Sequence, residues 1–393
     1  MPVYLDHAAT TPMRQEAIAA YADAMAVVGN PSSIHSQGQQ ARRMLEEARE
    51  TVAATLGADP IEVVFTSGGT EAVNLAVKGM YWARVDGGRR PRILVPGGEH
   101  HATLDTVEWL EHAEGARPEW LPLDGEGRIV VPSSIDGDDV ALLSFLAVNN
   151  EVGTVQPVTA LAAVARAVGV PVHVDAVAAY GHLPLDFRTL GVDALSVSAH
   201  KIGGPVGIGA LVLSRSSTVV PLIHGGGQQR QVRSGTQDVA AAVSFAVAAR
   251  AAEAEREQET ARLAALRDRL IRGVRAAVPE AVLSGPEPAS GERVASNAHF
   301  TFPGAQGDSL LFLLDLAGLS VSTGSACQAG IPEPSHVLIA MGRTEEEARS
   351  ALRFTLGRTS TEADVDALLA ALPAAYTQAS RAGLSERASR LAP

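Results

Sequence analysis

The chain has 393 residues, of which 46% are hydrophobic and 19% charged, and a formal net charge of −12. This suits a globular protein of two domains, or of one large domain with an appendage. It argues against wide electrostatic capture of nucleic acid or an anionic membrane, since basic residues are scattered. The longest apolar stretches, near 141–148 and 239–249, fall short of a bilayer span. Met1–His7 shows no basic leader followed by an apolar run, so a cytoplasmic protein is expected. A single cysteine, Cys327, leaves no internal disulfide and no cysteine cluster for a metal, and no metal site is expected.

Taken in chain order, short apolar runs alternate with helical patterns from about 60 to 215. Strands are predicted over 61–66, 92–95, 118–121, 140–146, 172–175, 194–198 and 210–214, with helices over 71–81, 102–111 and 158–168. This alternation predicts an α/β fold, a mostly parallel sheet flanked by helices. Asp238 is placed to cap an alanine-rich helix reaching about Thr260. Helices over 261–277, 306–317 and 361–377 then interleave with strands over 298–302, 319–322 and 352–356, as in a smaller α+β domain. The expected division is a large domain of 11–257 and a small one of 1–10 and 258–393.

Ser198-Ala199-His200-Lys201-Ile202-Gly203-Gly204-Pro205 ends the apolar run Val192–Val197, and a lysine seldom ends a buried strand without a task. Upstream, Val172-His173-Val174-Asp175-Ala176 delivers a carboxylate from another strand end. A lysine to form a Schiff base and an aspartate to keep a pyridine nitrogen protonated are what pyridoxal 5'-phosphate requires.

Other motifs have two readings each. Thr66-Ser67-Gly68-Gly69-Thr70-Glu71, between a strand and a helix, suits an oxyanion; it also suits plain capping by Ser67 or Thr70. It matches neither a P-loop nor a dinucleotide fingerprint. His100 and His101 lack metal-ligand spacing and either cap and pack or, with a pyridoxal ring nearby, stack on it. Val148-Asn149-Asn150-Glu151-Val152-Gly153 carries more polar groups than a turn needs. The segments His224–Gln228 and Arg233–Thr236 are a loop, or meet the phosphate of a partner subunit. Arg353, inside a strand pattern, either solvates an edge or pairs bidentately with a substrate carboxylate. Cys327 is a small buried hydrophobe or a functional thiol. Its setting, Ser322–Gly330, is small, polar and glycine-flanked like an exposed mobile loop, with no cation nearby in sequence to lower its pKa.

Together and in this order, these motifs resemble the cysteine desulfurases of the NifS/IscS type, fold-type I pyridoxal phosphate enzymes of the class V aminotransferase family. The resemblance runs from Tyr4–Pro12 through Gly29–Ser33 and the motifs above to Arg353–Gly357. Ser322–Cys327, continuing to Glu333-Pro334-Ser335-His336, is similar to the longer catalytic loop of the iron–sulfur-assembly branch. The resemblance implies that Lys201 holds the cofactor and moves protons, Asp175 pairs with its ring nitrogen, and His100 stacks on the ring and assists proton transfer. Gly69, Thr70, Ser198, His200 and, from the other subunit of a homodimer, Thr236 would hold the phosphate. Asn150 and Arg353, with Asn30 a weaker candidate, would orient the carboxylate of L-cysteine. Cys327 would take the sulfur as a persulfide, releasing L-alanine, and pass it to an acceptor protein for iron–sulfur cluster assembly or other sulfur-containing products.

Two positions depart from the family pattern. Ala178 stands where a glutamine commonly bonds the cofactor's phenolic oxygen, and Ala199 where a glycine is usual. The competing readings are a related selenocysteine or cystine lyase, and a sulfur-relay scaffold whose cofactor site has decayed.

Overall fold

Val63–Thr66 (β2), Val140–Leu146 (β5), Val172–Asp175 (β6), Ala194–Ser198 (β7) and Gly209–Leu213 (β8) are strands buried at every residue. Such continuous apolar runs have no solvent face and form a sheet only when helices cover both sides. With Arg92–Pro96 (β3) and Arg117–Leu121 (β4) they make one seven-stranded sheet, in the order β2-β8-β7-β6-β5-β3-β4. All neighbouring pairs are parallel except those of β8, which runs antiparallel to β7 and β2. The computed structural model describes residues 2–324 and 333–390.

Helices α1 (Gln15–Met25), α2 (Ser36–Thr55) and the first part of α7 (Val239–Ala277) pack together. Their Ala17, Leu45, Val52 and Phe245 share a core with Phe65, Phe145 and Val174 of the sheet, joined by Leu161 of α5 (Val158–Ala167) and Phe187 of α6 (Phe187–Leu190). A second apolar cluster gathers Val73, Ala76 and Met80 of α3 (Gly69–Arg84) and Leu110 of α4 (His101–Glu114) with Ile93 and Leu142.

The C-terminal region builds its own core. An antiparallel sheet in the order β12-β10-β9 comprises Ala351–Thr355 (β12), Asn297–Thr301 (β10) and Val282–Ser284 (β9). Val3–Tyr4 (β1) pairs in parallel with Leu319–Ser320 (β11). Phe300, Phe302 and Phe354 pack with Leu270 and Val274 of α7, with Leu310 of α8 (Gly307–Leu316), and with Leu368 of a C-terminal helix over Glu362–Arg390. Two short helices, His336–Ala340 and Glu345–Arg349, precede β12. Among the described residues no helix is long and apolar enough to cross a membrane.

The seven predicted strands of the main sheet are present within a residue or two. One expectation fails: the helix does not end near Thr260 and restart, but α7 runs unbroken for 39 residues. The stretch from Glu253 to Arg262 lacks glycine and proline, and its pairs Arg256–Glu253 and Arg262–Glu259, each three residues apart, support a solvated helix. One helix therefore feeds both cores.

Candidate active site

In an open parallel sheet, ligands collect beyond the carboxyl ends of the strands. Here β5, β6 and β7, with the start of α3, open onto one cavity whose wall includes Gly69, Thr70, His100, Asn150, Asp175, Ala178, Ser198, His200 and Lys201.

Lys201 lies in the single turn that follows β7. Its Nζ donates to the carbonyls of Ala8 and, at 3.0 Å, Ala9. Among the described residues no carboxylate pairs with it at contact distance. Burial, and then the charge of Arg353, bring its pKa down to about 8 against the opposing pull of Asp6 and Asp175. The amine is thus far easier to deprotonate near physiological pH than an ordinary lysine, which a nucleophilic lysine needs.

Asp175 closes β6 and is 7% exposed. Its Oδ1 accepts from the Val177 amide at 2.9 Å. Burial raises its pKa to about 6, opposed by that hydrogen bond and by Lys201. A cation against the free side of the carboxylate would stabilise its charged form. His100 is the residue before α4, and its Nδ1 accepts from the Ala102 amide at 3.0 Å, which leaves the proton on Nε2. Desolvation, then the charges of Lys201, His101 and His336, push its pKa down to about 4. It is a neutral ring.

The turn into α3 is not capped by a side chain, so the capping reading of Ser67 and Thr70 does not hold. The Ser67 amide instead donates to Glu71 at 2.7 Å, and Glu71 pairs with Arg233 at 2.9 Å. Those bonds outweigh the effect of burial and hold the Glu71 pKa below its usual value. The helix N-terminus thus presents amides to the cavity beside Thr70, Ser198 and His200. Gly69 is required for close approach: a Cβ there would sit 2.7 Å from Val177 Cγ2. An amide cradle, a lysine of lowered pKa, a buried aspartate and a neutral imidazole on one wall fit pyridoxal phosphate.

Asn149 makes the turn itself, its Oδ1 accepting from the amides of Glu151 and Val152 at 2.9 Å each. Asn150 faces the cavity, and its Oδ1 is buried without a hydrogen-bond partner among the described residues. Arg353 is 5% exposed, so it is not an edge-solvating arginine. Its Nη1 donates to the Asn150 carbonyl at 2.9 Å and its Nη2 to Asp6 at 2.8 Å, while Nε has no partner among the described residues. It does not line the cavity directly. Asn30 is exposed in a turn that its own Oδ1 stabilises, accepting from Ser32 at 2.9 Å, and it too lies off the cavity wall. Thr236 is exposed and off the wall of its own chain. Cys327 lies outside the described residues.

Sequence reasoning missed the N-terminal carbonyls that hold Lys201; only the fold brings residues 8 and 201 together. It also missed His173, buried between Ser144 Oγ at 2.9 Å and Ser196 Oγ at 2.8 Å, with its pKa pushed down by burial to about 3.

The family model described as "Aminotransferase class-V" matches residues 3–368. An "IscS-like cysteine desulfurase" of Mycobacterium tuberculosis is 54% identical over 387 residues, covering 97% of this chain and 98% of the relative. A solved "NIFS-LIKE PROTEIN" superposes with a TM-score of 0.87 at 33% identity, covering 96% of this chain and all of that one. A solved chain titled "SspA in complex with cysteine" gives 0.76 at 32% identity over 90% of this chain and 98% of its own.

The chain belongs to the class-V aminotransferase family, whose enzymes use pyridoxal phosphate. Within that family it is a cysteine desulfurase of the NifS/IscS type. These relatives do not favour the lyase or decayed-scaffold alternatives.

Proposed function

We propose that this chain desulfurates L-cysteine with pyridoxal phosphate held by Lys201, Asp175, His100 and the α3 cradle. The observation that carries the reading is the convergence of Lys201 and Asp175, from neighbouring strand ends, on one cavity beside an uncapped helix N-terminus. When bound, the cofactor supplies an electron sink for the substrate's α-carbon.

The chain's own residues do the rest. Asp175 holds the ring nitrogen's proton, and the α3 amides, Thr70, Ser198 and His200 bind phosphate. Neutral His100 packs on the ring, with its Nε2 proton available for transfer. Asn150 presents its side-chain amide to the substrate, where its Nδ2 is the group able to donate to a carboxylate, and Arg353, anchored on Asp6 and the Asn150 carbonyl, supplies positive charge behind it. Cys327 accepts the substrate sulfur: an S–S bond forms, the substrate's C–S bond breaks, and the electron pair stays on carbon, which is protonated and leaves as alanine. Asn30 retains the weaker part, and Thr236, exposed in its own chain, serves the phosphate of a partner copy in a homodimer.

The enzyme so described has a large domain of 11–257 and a small one of 1–10 and 258–393, works in the cytoplasm, and hands its persulfide to an acceptor protein. Loading the protein with pyridoxal phosphate and measuring visible absorbance and alanine release for wild type and Lys201→Ala tests the reading. Wild type is expected to be coloured and active, and the variant neither. Equal colour and activity in both would contradict it.

A further inference from the structure

Beyond the residues that hold cofactor and substrate, Glu151 sits where both flanks of the sulfur-bearing segment meet the substrate site. It is 1% exposed, immediately after Asn150. Residues 325–332, which contain Cys327, enter from Gly324 and leave at Glu333. On the leaving side, the buried Ser335 hydroxyl donates to Glu151 Oε2. Ser335 Oγ also caps the helix His336–Ala340, accepting from the Leu338 amide at 3.1 Å. His336 Nδ1 lies 4.0 Å from Glu151 Oε1, and its Nε2 hydrogen-bonds the Glu99 carbonyl at 2.8 Å.

On the entering side, Gly324 has φ +89°, and a Cβ there would meet Glu151 Oε2 at 3.4 Å and His299 Nε2 at 3.5 Å. His299 is fully buried, and neither ring nitrogen has a hydrogen-bond partner among the described residues. The backbone of Glu151 is fixed as well: its carbonyl accepts from Asn297 Nδ2 at 2.8 Å and its amide donates to Asn149.

A carboxylate buried this deeply is a poor stabiliser, because desolvation offsets what one hydroxyl and a histidine return. Its value lies in geometry. We infer that Glu151 is a positioning residue: through Ser335 and His336 it registers the leaving flank of the sulfur-accepting segment, beside Gly324 of the entering flank, against Asn150 and Arg353. The inference rests on the function proposed above, since it concerns sulfur removal alone. Displacement of a reacting group by about 1 Å costs about 10²-fold in rate, so a lost tether shows in turnover rather than in cofactor or substrate binding.

The test compares wild type with Glu151→Gln, Glu151→Ala, Ser335→Ala and the Glu151→Ala/Ser335→Ala double variant, all loaded with pyridoxal phosphate. It reads visible absorbance and the kcat and KM of alanine release from L-cysteine. Absorbance and KM should stay within about twofold of wild type while kcat of Glu151→Ala falls about 10²-fold. Glu151→Gln, whose amide oxygen still accepts from Ser335, should recover part of that loss. The double variant should be no slower than Glu151→Ala, because both remove one tether.

Unchanged kcat in Glu151→Ala, a loss that tracks absorbance or KM, or additive losses in the double variant would overturn the inference. If Glu151→Ala does not fold, Ser335→Ala and Glu151→Gln decide it by the same split. A wild type that releases no alanine overturns the inference together with the function it rests on; active wild type with equally active variants overturns the inference alone.

Discussion

Asp175 ends one strand and Lys201 sits in the turn after its parallel neighbour; the two line one cavity, and each opposes what burial does to the other. Burial drives the amine toward neutrality and the carboxylate toward its acid, while their mutual attraction pulls both back. The pair is left poised, with the amine at about 8 and the acid at about 6.

The first prediction concerns cofactor uptake. Only the neutral Lys201 amine attacks pyridoxal phosphate, and its neutral fraction rises with pH through about 8 rather than through the ordinary 10.5. The rate at which visible absorbance grows after mixing the cofactor with cofactor-free protein should level off above about pH 9, one unit past that midpoint. A rate still climbing steeply between pH 9 and about 10.5, the ordinary value, would show that the amine is not depressed.

Asp175→Asn keeps the shape and the bond to Val177 but removes the charge that retains a proton on the ring nitrogen. It should still load cofactor, while alanine release falls about 10²–10³-fold. Steady-state rates on loaded protein check this; near-wild-type turnover would remove Asp175 from the role.

Gly69→Ala places a methyl 2.7 Å from Val177 Cγ2 at the phosphate cradle. Overpacking of this kind costs about 1–3 kcal/mol, read here as weaker cofactor retention on dialysis. Val177→Ala in the same chain clears the clash and should restore part of the affinity. No recovery would mean that the methyl acts elsewhere.

Ala178, on the cavity wall where the family pattern has glutamine, predicts a spectral consequence. Ala178→Gln adds a donor beside the cofactor's phenolic oxygen and should shift the visible absorbance maximum of the loaded enzyme. An unchanged spectrum would mean that another group already makes that contact.

Stability should fall in mild acid. His173 and His299, both buried, are held at about 3, below the ordinary 6.5, mainly by desolvation. The unfolded chain therefore takes up protons that the folded chain refuses, and stability present above pH 6.5 is lost as pH falls toward the folded values. Asp175, raised to about 6, acts in the opposite sense, as do Glu99 and Asp308, which burial also raises. Against these, His7, His100, His182 and His200, each lowered to about 4, add to the histidine effect. Melting temperature should drop steadily from about pH 7 to about pH 5. A flat or rising profile would contradict the assignment.

What could be read from the sequence follows from its physics. Buried strands such as Val140–Leu146 show as unbroken apolar runs, and each chemistry-bearing residue of the sheet follows one, so Asp175 and Lys201 were visible. Of the unread helices, α2 is polar at most positions, and only spacings such as Leu45, Ala48 and Val52 betray its packed stripe, while α1 is alanine-rich and buries only Ala17 and Ala24. The false break in α7 came from taking a change in composition for a helix end, when nothing there stops a helix. Contacts between distant segments were illegible: the Ala8 and Ala9 carbonyls on Lys201, Asp6 on Arg353, and Ser335 on Glu151 join residues that no local pattern relates.

The most direct test is release of alanine and sulfide from L-cysteine, in the presence of a thiol reductant, by the loaded wild type and by Cys327→Ser. Both proteins should bind cofactor and show the same visible absorbance, and only the wild type should turn over. Turnover by Cys327→Ser at the wild-type rate would contradict sulfur transfer through Cys327.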